Sequence, residues 1–145
     1  MIKFKKWLRE NILYLAWIQA LAATVISLYI SEILKFTPCV LCWYQRILMY
    51  PLVIIILVGI INKDKKAHRY ILPFSIAGTL LALYQWLLQM GVIPDSIAPC
   101  ALGISCTTKY ISFFNFITIP FLSFLAFAFI TACAVIFMKL INNKK

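Results

Sequence analysis

The chain has 145 residues, 64% of them hydrophobic, and a mean hydropathy of +0.96. A soluble domain of this size needs far more polar surface, so an ordinary water-soluble fold is excluded. The formal net charge is +10, but where the basic residues fall argues for membrane topology rather than a nucleic-acid surface.

Four apolar runs, about 13–30, 43–61, 70–90 and 116–138, each approach the roughly 20 residues that cross a bilayer. They use nearly the whole chain. The expectation is an all-α integral membrane protein, a four-transmembrane-helix bundle forming a single domain over 1–145, with no appended soluble module. Lys3, Lys5, Lys6 and Arg9 precede the first run. Lys63, Lys65, Lys66 and Arg69 lie between the second and third, and Lys139, Lys144 and Lys145 follow the fourth. In a four-span chain these groups share one side. The other side holds Lys35 and Lys109, with Arg46 just inside a span. The positive-inside rule then places both termini in the cytoplasm.

The first run begins like a secretory signal, with Ala20-Leu21-Ala22 as a conceivable cleavage site. The run continues through Val25, Ile26, Leu28 and Ile30, so an uncleaved helix is expected. Trp7, Tyr14 and Trp17 suit the inner interface. Residues 31–36 form a short outer connection, which makes the first two helices antiparallel neighbours.

The second run opens on Thr37-Pro38-Cys39-Val40-Leu41-Cys42-Trp43-Tyr44-Gln45-Arg46. Thr37 reads as an N-cap and Pro38 as the first helical residue. Cys39 and Cys42 then share one face of the first turn, within reach of a disulfide. The helix dipole there favours a thiolate. Arg46 lies one turn deeper, and an ionisable residue inside a span suggests a site. Its bland reading is a side chain snorkelling to the headgroups. For the cysteine pair the bland reading is a staple, but tying residues three apart removes little chain entropy. Residues 62–69 read as a polar cytoplasmic hairpin that includes His68 as a surface residue.

In the third run Gly78 and Ala82 permit close helix approach. Gln85 and Gln89, beside Tyr84 and Trp86, need hydrogen-bond partners. They either satisfy polar groups of the bundle or line a pocket beside Arg46. The long outer loop, about 91–115, holds Pro94, Pro99, Cys100, Gly103, Cys106 and Lys109. Long loops in compact domains are usually functional, and a Cys100–Cys106 disulfide would close a small exposed turn there. Pro120 falls in the first turns of the fourth helix. Cys133 sits alone in that run and reads as a small packing residue.

Two cysteine pairs on one side of a membrane suit two-electron thiol–disulfide exchange. One pair would meet a protein partner and the other would pass electrons onward. No Rossmann glycine pattern and no haem-type Cys-x-x-Cys-His occurs. The natural acceptor at the membrane edge is a lipid-soluble quinone, whose developing negative charge Arg46 would stabilise.

Cys39-Val40-Leu41-Cys42, followed by Tyr44 and Arg46, resembles the active motif of the DsbB disulfide-bond formation family, and the resemblance extends over the whole chain. It implies a bundle in the bacterial cytoplasmic membrane with its active site on the outer face. Such a bundle reoxidises an extracytoplasmic thioredoxin-like (DsbA/BdbD-like) thiol oxidase and passes the electrons to quinone. By that resemblance Cys39, Cys42, Cys100 and Cys106 are the catalytic residues; the candidate quinone-binding residues are Arg46, one turn below Cys42, and Gln85, from its depth in the third run. Cys100 would form the mixed disulfide with the partner, and Cys42 would face the quinone. Gln45 stands where many members carry an acidic residue. Cys100 and Cys106 lie closer together than the corresponding enterobacterial pair, which is nearer the Gram-positive BdbC form and implies menaquinone rather than ubiquinone. Two other readings remain: a membrane thiol enzyme similar to vitamin K epoxide reductase, and a non-enzymatic protein binding zinc or copper through four cysteines.

Overall fold

The computed structural model describes residues 2–35, 37–94, 96 and 118–142. These form four helices: α1 (Ile2–Glu32), α2 (Val40–Ile61), α3 (His68–Gln89) and α4 (Ile119–Asn142). No strand occurs among them. In hydrocarbon the backbone must satisfy its own hydrogen bonds, and a helix does so within one segment. All four helices are long and apolar enough to span a membrane.

Each helix packs on its neighbours in sequence, and α4 closes the ring against α1. The centre is built from Leu52 and Ile56 of α2, Ile71 of α3, and Phe127 and Ile130 of α4, all essentially inaccessible. Ile18, Val25 and Ile26 of α1, Ile54 of α2, Leu80 of α3 and Leu122 of α4 point outward and are exposed. Apolar surface this extensive is unusual on a water-soluble monomer and is what lipid contact requires.

Gly78 lets α3 and α4 approach closely. A Cβ there would collide with the Phe127 ring, and Ala82, one turn on, is fully buried. The small residues therefore act as expected. Two threonines face each other across the same pair of helices. Thr79 Oγ1 donates to the Ser75 carbonyl at 2.7 Å, Thr131 Oγ1 donates to the Phe127 carbonyl at 2.8 Å, and the two hydroxyls are 3.5 Å apart. Cys133 is buried in the core of α4, as a packing residue would be.

Several boundaries differ from those expected. The first helix extends beyond the 13–30 apolar run and starts at Ile2. At 1.5 Å per residue it is about 46 Å long, longer than the roughly 30 Å hydrocarbon core, so its basic start projects beyond the apolar layer. The α2–α3 hairpin is shorter than 62–69. Lys63 adopts φ 49°, and the amides of Lys63 and Asp64 bond back to the carbonyls of Ile60 and Gly59 at 3.1 and 3.0 Å. This is a left-handed cap that reverses the chain at once. Ala67 is buried, with Gly59 making room for its methyl group. His68 is consequently not a loop residue on the surface. It opens α3, half-buried, with its ring 6.4 Å from that of Phe137. Pro120 is the second residue of α4, as expected.

Candidate redox site

The N-terminus of α2 begins two residues later than its sequence suggests. Cys39 is the N-cap, with extended backbone (φ −72°, ψ 169°), so Thr37 and Pro38 both lie outside the helix. The first intrahelical bond runs from the Trp43 amide to the Cys39 carbonyl at 3.1 Å. Proline favours an extended residue before it, which keeps Thr37 out of the helix as well. Cys42 is then the third helical residue. From the cap position the Cys39 side chain turns back over the first turn, and its Sγ meets Cys42 Sγ at 2.9 Å. Both are free thiols. A disulfide is about 2.05 Å long, so the sulfurs need move little to form one when an acceptor takes two electrons and two protons from them.

The pair is largely shielded. Cys39 is buried and Cys42 half-buried, on a small apolar cluster with Leu41 and Leu88. Cys39 lies just outside the membrane-spanning segment. Its thiol is held above the ordinary thiol range, because the hydrogen bond shared with Cys42 keeps a proton on it and burial disfavours an anion. The first-turn amides pull the other way and do not win.

Polar side chains surround the sulfurs in a defined order. Gln85 of α3 is buried, and its Nε2 donates to Cys39 Sγ at 3.2 Å and to Cys42 Sγ at 3.3 Å. Its Oε1 accepts from Gln45 Nε2 at 2.7 Å, and Gln45 is also buried. Arg46 Nη1 donates to Ser31 Oγ at 3.1 Å and Nη2 to the Ser27 carbonyl at 3.0 Å. Its guanidinium carbon lies 5.9 Å from the Trp43 ring centre. Arg46 therefore ties α2 to α1 instead of extending freely to a headgroup layer.

A cavity of about 590 Å³ opens beside the dithiol and is lined from all four helices. Cys39, Cys42, Gln45, Arg46, Gln85 and Gln89 all contribute to its wall. Ile26, Ile30, Met49, Leu122 and Phe129 supply apolar surface. Thr24 and Thr118 also line it, and the hydroxyl of each is buried with no hydrogen-bond partner among the described residues.

Four of the six residues singled out from the sequence thus come together: Cys39, Cys42, Arg46 and Gln85. Cys100 and Cys106 lie outside the described residues. The two expectations for Gln85, satisfying the bundle and lining a pocket, are both met by the same side chain. Sequence reasoning missed Gln45 as its partner, and Ser27 and Ser31 as acceptors for Arg46. Ser27 and Ser31 are four apart and so share a helix face, a signal that was present. The orphan hydroxyls of Thr24 and Thr118 carried none, because a threonine within or just before an apolar run follows no distinctive pattern.

Comparison with known proteins adds a second line of argument. Residues 9–137 match the family described as disulfide bond formation protein DsbB. The chain is 46% identical over 133 residues to disulfide bond formation protein C of Bacillus subtilis (strain 168), covering 92% of this chain and 94% of that one. It is 42% identical over 130 residues to a probable disulfide formation protein C of Halalkalibacterium halodurans, covering 90% and 95% of the two chains. A probable disulfide formation protein of Metapseudomonas resinovorans is 38% identical over 130 residues, with 89% and 90% covered. No solved structure matches.

Proposed function

This chain belongs to the DsbB family of disulfide bond formation proteins, and from that membership and the cavity beside Cys39 and Cys42 we propose that it is a membrane thiol:quinone oxidoreductase. It reoxidises an extracytoplasmic thioredoxin-like thiol oxidase, so that disulfides can form in exported proteins. The protein is a multi-pass membrane protein of disulfide formation.

The exchange balances without a soluble cofactor. A reduced partner attacks the Cys100–Cys106 disulfide, with Cys100 carrying the mixed disulfide, and leaves oxidised. The Cys100/Cys106 dithiol then reduces Cys39–Cys42: one S–S bond breaks, one forms, and two electrons and two protons move inward. Cys100 and Cys106, in the long segment between the third and fourth apolar runs, would suit the encounter with a folded protein. A pair at a helix start, beside a largely apolar cavity, suits an acceptor dissolved in lipid.

The residues present fit a quinone headgroup. The cavity volume is within the range of small-molecule sites, which combine apolar walls with a few convergent polar groups. Arg46 would hold a ring oxygen with its remaining N–H groups, and Gln85, whose two N–H groups go to the sulfurs, would border the ring beside the dithiol. The spare hydroxyls of Thr24 and Thr118 are donors that a carbonyl-bearing ring would satisfy. A bound quinone supplies a two-electron, two-proton acceptor. The chain's own groups do the rest: Cys39 retains a proton, Gln85 donates to both sulfurs, and the apolar wall keeps water from the exchange. Menaquinone is the proposed form, on the likeness to the Gram-positive relatives.

The observation that carries this reading is the shared wall: one cavity is bounded by both sulfurs, Arg46 and Gln85. The test is quinone reduction by the purified protein in lipid, driven by a reduced thioredoxin-like oxidase. Stoichiometric quinol, lost on Cys42→Ser, is expected. Partner oxidation without quinol would remove quinone from the scheme.

A further inference from the structure

The polar order around the dithiol has a direction. Gln45 Nε2 donates to Gln85 Oε1 at 2.7 Å, and Gln85 Nε2 then lies 3.2 and 3.3 Å from the two sulfurs. A carboxamide has one accepting end and one donating end. With its oxygen held by Gln45, Gln85 can turn only its donating end to Cys39 and Cys42. Rotated by half a turn, it would bring an oxygen to the sulfurs and an NH₂ group to the NH₂ group of Gln45. Both side chains are buried, at 7% and 1% exposure, so water does not compete to reorient them.

We propose that Gln45 is a positioning residue for the Cys39/Cys42 pair: by fixing the amide of Gln85 it stabilises the reduced pair over the disulfide. Sulfur in a thiol or thiolate accepts a hydrogen bond, strongly so when charged, whereas disulfide sulfur is a poor acceptor. The N–H groups of Gln85 therefore favour the reduced form, and the pair becomes a stronger oxidant than the same two cysteines without them. The half-reaction takes two electrons and two protons, breaks the Cys39–Cys42 bond and leaves two thiols. In the full chain the Cys100/Cys106 pair donates those electrons and becomes a disulfide. The relay thus draws electrons inward.

The inference rests on reading Cys39 and Cys42 as the inner redox pair. Its test is the equilibrium of that pair with dithiothreitol, in full-length protein carrying Cys100→Ser and Cys106→Ser, followed by mass shift after thiol alkylation. Gln45→Met keeps the side-chain length and removes the donor. It should move the equilibrium about tenfold toward the disulfide, the size expected of one hydrogen bond and about 30 mV in potential. Gln85→Met should do at least as much. Gln45→Met added to Gln85→Met should do nothing further, because Gln45 touches neither sulfur. An unchanged equilibrium in Gln45→Met overturns the relay, as does an equal shift that persists without Gln85. If Gln45→Met does not fold, the proposal stands or falls on Gln85→Met, where an equilibrium that does not move toward the disulfide overturns it. A pair that never forms a disulfide overturns both the relay and the redox reading, whereas a cycling pair with an unmoved equilibrium overturns the relay alone.

Discussion

Arg46 is a fixed charge inside an apolar layer, and such a charge persists only where acceptors meet it. Ser31 Oγ and the Ser27 carbonyl do so from α1. They occupy two of the five guanidinium N–H groups, so the same side chain can brace two helices and still offer donors to a ligand. Arg46→Met should lower kcat/KM for quinone ten- to hundredfold, about 1.4–2.7 kcal/mol of transition-state stabilisation. Exchange between the partner and Cys100/Cys106 should survive. Unchanged quinone kinetics, with only a lowered melting temperature, would reduce Arg46 to a brace. Cys39 gives a second expectation at this scale. Its proton is held by Cys42 and by burial, and only a thiolate alkylates readily. At pH 8 iodoacetamide should modify Cys39 more slowly than an unstructured cysteine peptide, and unfolding should abolish the difference. Faster modification in the folded protein would show that the first-turn amides prevail.

The helices are specified by apolar runs, and their ends by local chemistry that is harder to read. Gly91, with φ 75°, ends α3 in a left-handed cap: the amides of Gly91 and Val92 bond to the carbonyls of Leu88 and Leu87, both at 3.1 Å. Lys63 does the same after α2 with a side chain that disfavours that conformation. Lys63→Gly should therefore stabilise the reduced protein in detergent by about 0.5–1 kcal/mol, read as a raised melting temperature. Gly78→Ala should act in the opposite sense, by about 1–3 kcal/mol, since the added methyl meets a ring that the core holds in place. Adding Phe127→Leu should recover part of that loss, and a purely additive pair would mean that the two sites do not share space. The value of Gly78 was legible because a small residue in an apolar helix has few other uses. The cap at Lys63 was not legible, because lysine gives no sign of a positive φ and the polar stretch around it reads as loop throughout. The late start of α2 was hidden for a related reason: Thr-Pro is a common helix opening, and only the extended backbone at Cys39 shows that the cysteine has taken the cap. The amide relay was half legible, Gln85 by its depth and Gln45 not at all, since their pairing spans 40 residues of sequence.

At the scale of the whole molecule the ring of helices sorts the chain into two ends. The start of α1, the hairpin between α2 and α3, and the end of α4 share one end, where His68 of α3 meets Phe137 of α4. Lys3, Lys6, Lys63, Lys65, Lys66, Arg69 and Lys139 belong to that end. The dithiol, Arg46 and the turn at Lys35 belong to the other. Which end faces the cytoplasm decides whether the dithiol works in an oxidising compartment, since disulfides persist outside the cytoplasm and not within it. The lysine-rich end should be cytoplasmic, because positive residues in short loops resist translocation. Lys35 and Lys65 are both exposed and report on opposite ends. In protein whose native cysteines are replaced by serine, Lys35→Cys should react in intact cells with a membrane-impermeant maleimide. Lys65→Cys should react only after the membrane is permeabilised. The reverse pattern would put Cys39 and Cys42 on the reducing side, where a thioredoxin-like oxidase has no exported substrate to serve, and the direction of electron flow proposed for them would have to be given up.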